Sequence, residues 1–366
     1  MNRTTQVSTE QDATGAPSPP AVSGAAPPLT LSSGAGTKSI GDRIRAILKQ
    51  GGSTWTFGVL VLLLIAFWIM NHDFFSQANW IATTTYATEY ILVAVGETFV
   101  IITGGLDLSV GGILALSGMT AAWIMSTGTV SSLPIGFVVL IGALVGMGTG
   151  VLVGLVNGVI VTRLKIAPFI VTLGTLGITT GLVELAHAGQ PIVGIPSPLT
   201  TFGIENLGGW IPQTVLATGI VAGIAGVVLA KTRFGLRTYG IGSNVEAARR
   251  HGVNVRRHVL KVYVISGLFA GIAGIVVLSR FGEASPLAGQ NDNLNGIAAA
   301  VIGGASLFGG VGTIFGTVVG AFVLSVLVTG LVIANIQPFW QPVAVGVVLI
   351  VAVFLDQLRK RIADRS

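Results

Sequence analysis

From Trp55 onward the chain alternates between long apolar runs and short polar stretches. The runs lie at about 55–72, 86–103, 110–127, 135–161, 167–187, 212–230, 259–279, 294–308, 313–335 and 340–357. Runs of this length match a helix crossing the roughly 30 Å hydrocarbon layer of a bilayer. The pattern predicts an all-α membrane protein of about ten transmembrane helices. Several runs are shorter than the roughly 20 residues of an upright helix, and 135–161 is longer, so tilted, broken or re-entrant segments are expected.

Small residues say how such helices meet. Gly142, Gly146, Gly150, Gly154 and Gly158 recur at every fourth position, and Gly312, Gly316 and Gly320 repeat the spacing. Apolar burial does not drive association within lipid, so stripes of this kind bring helix backbones together. Packing inside one bundle is the reading preferred over a seam between two copies. Two glycine-rich segments, Gly104 to Gly112 and Gly303 to Gly310, resemble each other and read as breaks at membrane depth. Irregular backbone is allowed there only when covered by protein or facing water.

The polar remainder orients the chain. Residues 1–37 are rich in Ser, Thr, Ala, Pro and Gly and are expected to be disordered, because they cannot bury enough surface to offset ordering entropy. No apolar segment precedes Trp55, so a signal peptide is not expected. Residues 38–54 read as a basic amphipathic segment on the inner surface. With ten spans in 55–357, the basic clusters at 38–49, Arg163/Lys165, 231–261 and 359–365 all fall on one side. Arg280 is the single Lys or Arg among the opposite loops. Positive charge marks the cytoplasmic face, so both termini, including the tail 358–366, are expected there.

The segment Lys231 to Lys261 holds eight of the chain's 20 Lys and Arg and one acid, Glu246, in a chain of net charge +6. Ser243 and Glu246 have the spacing of a capping box, which predicts a helix over roughly 244–251. Ala247 and Ala248 propagate it, Arg249 and Arg250 suit its C-terminal dipole, and Gly252 ends it. Tyr239 to Gly242 ahead of it reads as flexible. Two readings stay open on these grounds: a docking element for a soluble partner, or a basic loop that only sets topology.

Composition agrees with a membrane chain: 51% hydrophobic and 9% charged residues, 52 glycines, and a mean hydropathy of +0.83. The absence of Cys excludes disulfides and thiol chemistry. The pI of about 10.0 reflects the clustered loop charges, so nucleic acid is not expected as a partner. Gly34 to Ser39 lacks the spacing of a phosphate loop. Ionisable groups within or beside the spans are few: Glu89, Glu97, Asp107, and Glu184 with His187. Each is a functional candidate by position, but capping the helix breaks is the preferred role for Glu97 and Asp107. A neutral, hydroxyl-rich solute suits the uncharged polar positions better. The candidate pathway set is Asp107, Asn157, Phe169, Asn293 and Asn295, with Asn335, Trp340 and Gln341 in reserve.

Several stretches carry a family resemblance: EYILVAVGETFVIITGGLDLSVGGILALSG, APFIVTLGTLGITTG, the GxNxEAARxHGVNV pattern starting at Gly242, and IAAAVIGGASLFGGVGTIFGTVVGA. They resemble the inner-membrane permease subunits of ABC sugar importers, of the ribose, xylose, arabinose, galactoside and fructose type. These are related to branched-chain amino-acid permeases. The resemblance spans roughly 55–357. It implies a non-catalytic bacterial inner-membrane subunit that works as a pair, fed by an extracytoplasmic sugar-binding protein. It also implies a cytoplasmic ABC ATPase that holds ATP-Mg, with no cofactor or metal in this chain. It assigns ATPase docking to the loop 231–258 through Gly240, Gly242, Asn244, Glu246, Ala247, Ala248 and Gly252, and Ser243 and Arg249 complete the capped helix. Two other classes frame this one. An ion-coupled carrier would use Glu97 and Asp107, and an intramembrane enzyme lacks a nucleophile–base or metal-ligand set.

Overall fold

The computed structural model describes the backbone of residues 52–363. The segment expected to be disordered, 1–37, and most of 38–54 lie outside the described residues. The helices are α1 (Gly52–Met70), α2 (Gln77–Ile102), α3 (Val110–Ser126), α4 (Ile135–Val159), α5 (Pro168–Ala186), α6 (Ser197–Ile204) and α7 (Gln213–Lys231). They continue with α8 (Arg233–Ser243), α9 (Val245–Arg250), α10 (Val255–Phe281), α11 (Asp292–Ile302), α12 (Ile314–Ile333) and α13 (Trp340–Ala363). Local chemistry sets their starts. Pro168 opens α5, where a missing N–H is no loss. The side chains of Ser76, Asn254 and Thr313 accept from the backbone N–H of Asn79, Arg257 and Gly316.

The expected count of ten spans changes in detail. Among the described residues seven helices are long and apolar enough to cross a membrane, and 56–70 and 110–126 are shorter apolar helices. The run expected at 294–308 is the 11-residue α11, roughly 16 Å long at 1.5 Å per residue. The rest of its path is the glycine-rich chain 303–313. α13 runs on into the stretch expected to be a tail. A two-residue antiparallel ribbon, β1 (Asn206–Leu207) with β2 (Ile211–Pro212), departs from a purely helical fold.

The interior holds α2, α10 and α12 together with the shorter α3 and α11, while α4, α5, α7 and α13 expose much of their apolar surface. The glycine stripe of α4 faces inward as expected. A Cβ on Gly150 would strike the carbonyl oxygen of Gly267, and one on Gly154 the carbonyl oxygen of Tyr263, both on α10. Gly142 meets Met125, and Gly146 meets the Ser117 carbonyl, both on α3. The second stripe does the same for α11 and α12, where Gly316 meets Gly303 and Gly320 meets the Ala299 carbonyl.

The two glycine-rich segments close their helices in the same way. After α2, Gly104 N–H donates to Ile101 (2.8 Å) and Gly105 N–H to Val100 (3.0 Å). After α11, Gly304 N–H donates to Val301 and Ala305 N–H to Ala300, both at 2.9 Å. Gly104 and Gly304 take φ of 79° and 96°, which only glycine adopts cheaply. Their sequence likeness is thus a shared backbone turn.

Leucine placed on either side of one helix turn tests this packing. Gly150→Leu is expected to lower stability by more than about 3 kcal/mol, above the usual overpacking range. Gly148→Leu should be tolerated, since nothing lies within reach of a Cβ there. Thermal unfolding in detergent reads the difference; equal midpoints would place the stripe on the lipid face.

Candidate functional site

The basic segment forms two helices rather than a flexible lead and one helix. Tyr239 to Gly242, expected to be flexible, belong to α8. Ser243 ends that helix and does not cap the next one. Asn244 does: its Oδ1 accepts from Ala247 N–H at 2.9 Å, so the capped helix is Val245–Arg250. Glu246 does not reach back to Ser243. It lies 3.6 Å from Arg249 and 3.8 Å from Arg250, all three exposed. Gly252 ends the unit in the left-handed region, φ 77°. Ala248 is buried and Ala247 half-buried, whereas Gly240, Glu246 and Arg249 face outward.

α8 fixes this unit to the bundle. A Cβ on Gly242 would strike both the carbonyl oxygen of Ile102, which ends α2, and the amide of Gly310. Gly310 N–H itself donates to Ile102 O at 2.8 Å. A Cβ on Gly309 would lie 3.0 Å from Gly242 O and 3.2 Å from Gly104 N. Tyr239 donates its hydroxyl to Gly312 O at 2.7 Å, and burial pushes that phenol's pKa up, so it stays a donor. Thr238 Oγ1 and His258 Nε2 are 2.8 Å apart, and the Phe234 and His258 rings lie 4.4 Å apart. Both helix breaks and α8 therefore meet at one point. Of this junction, sequence reasoning singled out Gly242, Gly104, Gly309 and Gly310. It missed Ile102 and the anchoring role of Tyr239, whose partner lies 73 residues away, and it read Gly312 only as part of a packing stripe.

The five candidate pathway residues separate into three places. Asp107 and Asn157 join a fully buried network. Asp107 Oδ1 accepts from Ser109 N–H (3.0 Å) and Ser109 Oγ (2.5 Å), and its Oδ2 accepts from Ser266 (2.9 Å). Asn157 Nδ2 donates to Ser109 Oγ (2.8 Å), and Thr175 donates to Asn157 Oδ1 (2.6 Å). Glu97 accepts the Asp107 backbone N–H at 3.0 Å. The network ties α2, α3, α4, α5 and α10 at the first break, the capping role expected for both acids. Asn293 and Asn295 sit at the start of α11, where Asn295 Nδ2 donates to Asp292 at 3.1 Å. Phe169 stands apart, 52% exposed. Glu184 and His187 are exposed. Among the described residues no three His, Cys, Asp or Glu side chains gather as a metal site.

Removing the Asp107 carboxylate separates a structural network from a proton relay. Asp107→Asn keeps an acceptor toward Ser109, and the Ser266 hydroxyl can rotate to accept. The expected loss is about 1 kcal/mol, against about 3 kcal/mol for Asp107→Ala, which orphans buried donors. The pH profile of transport should not move in Asp107→Asn. A profile that flattens would make Asp107 a proton carrier.

Comparison with known proteins gives this arrangement its family. The family model described as "Branched-chain amino acid transport system / permease component" matches residues 79–353. The chain is 37% identical over 306 residues to the D-allose transport system permease protein of Escherichia coli, covering 83% of this chain and 91% of that one. It is 38% identical over 302 residues to the ribose import permease protein of Bacillus subtilis, covering 81% and 90%. It is 35% identical over 336 residues to the fructose import permease protein of Rhizobium meliloti, covering 89% and 91%. No solved structure gives a significant match. A multi-pass helical bundle with a capped basic segment at one end, matched over most of its length, belongs to the branched-chain amino acid transport system / permease component family.

Proposed function

We propose that this chain is the translocation subunit of an ATP-driven importer of a monosaccharide or similar polyol. It would work in the bacterial inner membrane as a pair of copies. A cytoplasmic ABC ATPase, which holds the ATP-Mg, would drive it, and an extracytoplasmic binding protein would deliver the sugar. The names of its relatives, permeases for allose, ribose and fructose, support the substrate class. The chain supplies no catalytic residue and no cofactor site in this reading.

One observation carries the mechanism: α8 lies against Ile102 and Gly310 through Gly242, so α9 is linked to both helix breaks at once. In this proposal Gly240, Gly242, Ser243, Asn244, Glu246, Ala247, Ala248, Arg249 and Gly252 form the ATPase-coupling unit. The ATPase cycle displaces α9, α8 carries the displacement, and the ends of α2 and of the 303–313 chain respond. Two packed arrangements then alternate access to the pathway.

Topology fits the same account. In this reading ten segments cross the membrane, with α11 and the chain after it as one of them, and both termini are cytoplasmic. The antiparallel contact of α4 with α10 puts Gly158 beside Leu260. Arg163 and Lys165 therefore share an end with the basic segment 231–261. That end is the cytoplasmic one by the positive-inside rule.

The rival reading is an ion-coupled carrier using Glu97 and Asp107. Their hydrogen bonds to backbone and serines weigh against it. Reconstitution with the ATPase and binding protein in proteoliposomes discriminates between the two. Uptake should require ATP and resist a protonophore; uptake that ignores ATP and collapses with the proton gradient would make the chain a carrier. Glu246→Lys is expected to cut ATPase co-purification at least about tenfold while the permease stays folded. Gly242→Ala should assemble yet lose most ATP-coupled uptake, whereas Gly240→Ala, whose Cβ meets nothing, should remain near wild type. Full coupling in Gly242→Ala would remove the junction from the mechanism.

A further inference from the structure

Between α8 and the first two turns of α10, the basic segment folds around a hollow of ≈ 400 Å³. Three cations line it, Arg237 from α8 and Arg257 and Lys261 from α10. All three are exposed. The rings of Phe234 and His258, 4.4 Å apart, line it as well. Asn254 completes the lining with a neutral amide. Its Oδ1 caps α10 by accepting from Arg257 N–H, which leaves its Nδ2 to donate.

Charge that only sets topology needs no such arrangement. Arg233 and Arg256 are exposed too, yet neither lines the hollow, whereas Arg237, Arg257 and Lys261 reach one space from two helices. No acid answers them. Among the described residues Glu246 pairs with Arg249 and Arg250, and Glu89 with Arg280, while the three cations of the hollow have no ion pair. Like charges around one space repel. An anion with several oxygens would engage all three at once through charge-assisted hydrogen bonds.

Depth identifies the source of that anion. Residues 262–279 of α10 carry no charge and span roughly 27 Å at 1.5 Å per residue, close to the hydrocarbon thickness of about 30 Å. Lys261 therefore stands at the edge of the hydrocarbon, and Arg257, one turn earlier, among the headgroups. A lysine at that edge carries its ammonium outward to the polar layer. Beside Arg237, α8 leaves Leu236 73% exposed, an apolar side chain suited to the lipid boundary and not to water. A soluble phosphate compound, or an acidic side chain of an ATPase, would have to descend to the hydrocarbon edge to meet Lys261. The phosphate of a membrane lipid is already there.

We infer that this hollow binds the phosphodiester headgroup of an anionic phospholipid, held by Arg237, Arg257 and Lys261 with Asn254 as a neutral donor. The bound lipid ties α8 to the first turns of α10 and so braces the unit that packs on Ile102 and Gly310 through Gly242. The inference needs only a chain that crosses the membrane, and it holds whatever solute is carried.

Native mass spectrometry of the full-length permease tests it, with the protein released from mixed micelles of phosphatidylglycerol and phosphatidylcholine in equal amounts. Phosphatidylglycerol should be retained preferentially. Joint substitution Arg257→Gln and Lys261→Gln should reduce that retention about tenfold or more. Arg256→Gln removes a charge from the same turn outside the hollow and should retain the lipid as the wild type does. Thermal unfolding in the same micelles gives a second reading: phosphatidylglycerol should raise the wild-type midpoint and leave that of the double variant unmoved. Should the double variant fail to fold, Arg237→Gln on α8 takes its place with the same expected loss of selectivity. Equal retention of the two lipids, or an equal loss in Arg256→Gln, overturns the site. Displacement of the lipid by millimolar inorganic phosphate would overturn the lipid source and assign the hollow to a soluble phosphate compound. Unselective lipid retention, with ATPase co-purification lost in the double variant, would overturn it in favour of an ATPase contact.

Discussion

The carbonyl of Ile102 holds this architecture together. It is among the last carbonyls of α2, which have no acceptor role within their own helix, and its partner comes from far along the chain, the N–H of Gly310. That one bond joins the two helix breaks. It lies so close to α8 that only a glycine fits at position 242. In a membrane an unpaired backbone group costs several kcal/mol, so neither break can move without the other or without α8 following. The exposed unit of α8 and α9 is thereby packed directly against the elements that interrupt the membrane helices.

Around that junction the protein solves the packing problem with backbone rather than side chains. α4 and α10 touch through Gly150, Gly154 and Gly267, and α11 and α12 through Gly303, Gly316 and Gly320. Close backbone approach replaces the hydrophobic drive that lipid removes. The buried carboxylate of Asp107 adds polar ties between helices, satisfied by Ser109 and Ser266. Such a framework is stiff at each contact, the breaks included, where backbone hydrogen bonds and the Asp107 network close the turns.

Much of this was legible in the sequence, because helix spans and four-residue glycine spacing are local patterns. The family was legible too, through its motifs. What failed had physical causes. Ser243 and Asn244 are adjacent and both cap well, and the Ser-x-x-Glu spacing favoured the wrong one because α8 continues through Ser243. Gly240 and Gly242 argued for flexibility on propensity, yet Gly242 is there for close approach to Ile102. Hydropathy gives no rotation for a helix, so it could not show that Asn157, a candidate pathway residue, is fully buried against Ser109 and Thr175.

The central claim is that α9 is where an ATPase engages. The chain has no Cys, so Ala247→Cys introduces a single reactive thiol on that helix. Purified from native membranes in mild detergent and treated with a thiol–amine crosslinker, the protein should yield a stoichiometric adduct with a soluble ATPase. Mass analysis should place the bond at position 247. A partnerless protein, or an ATPase joined everywhere except at α9, would contradict the account.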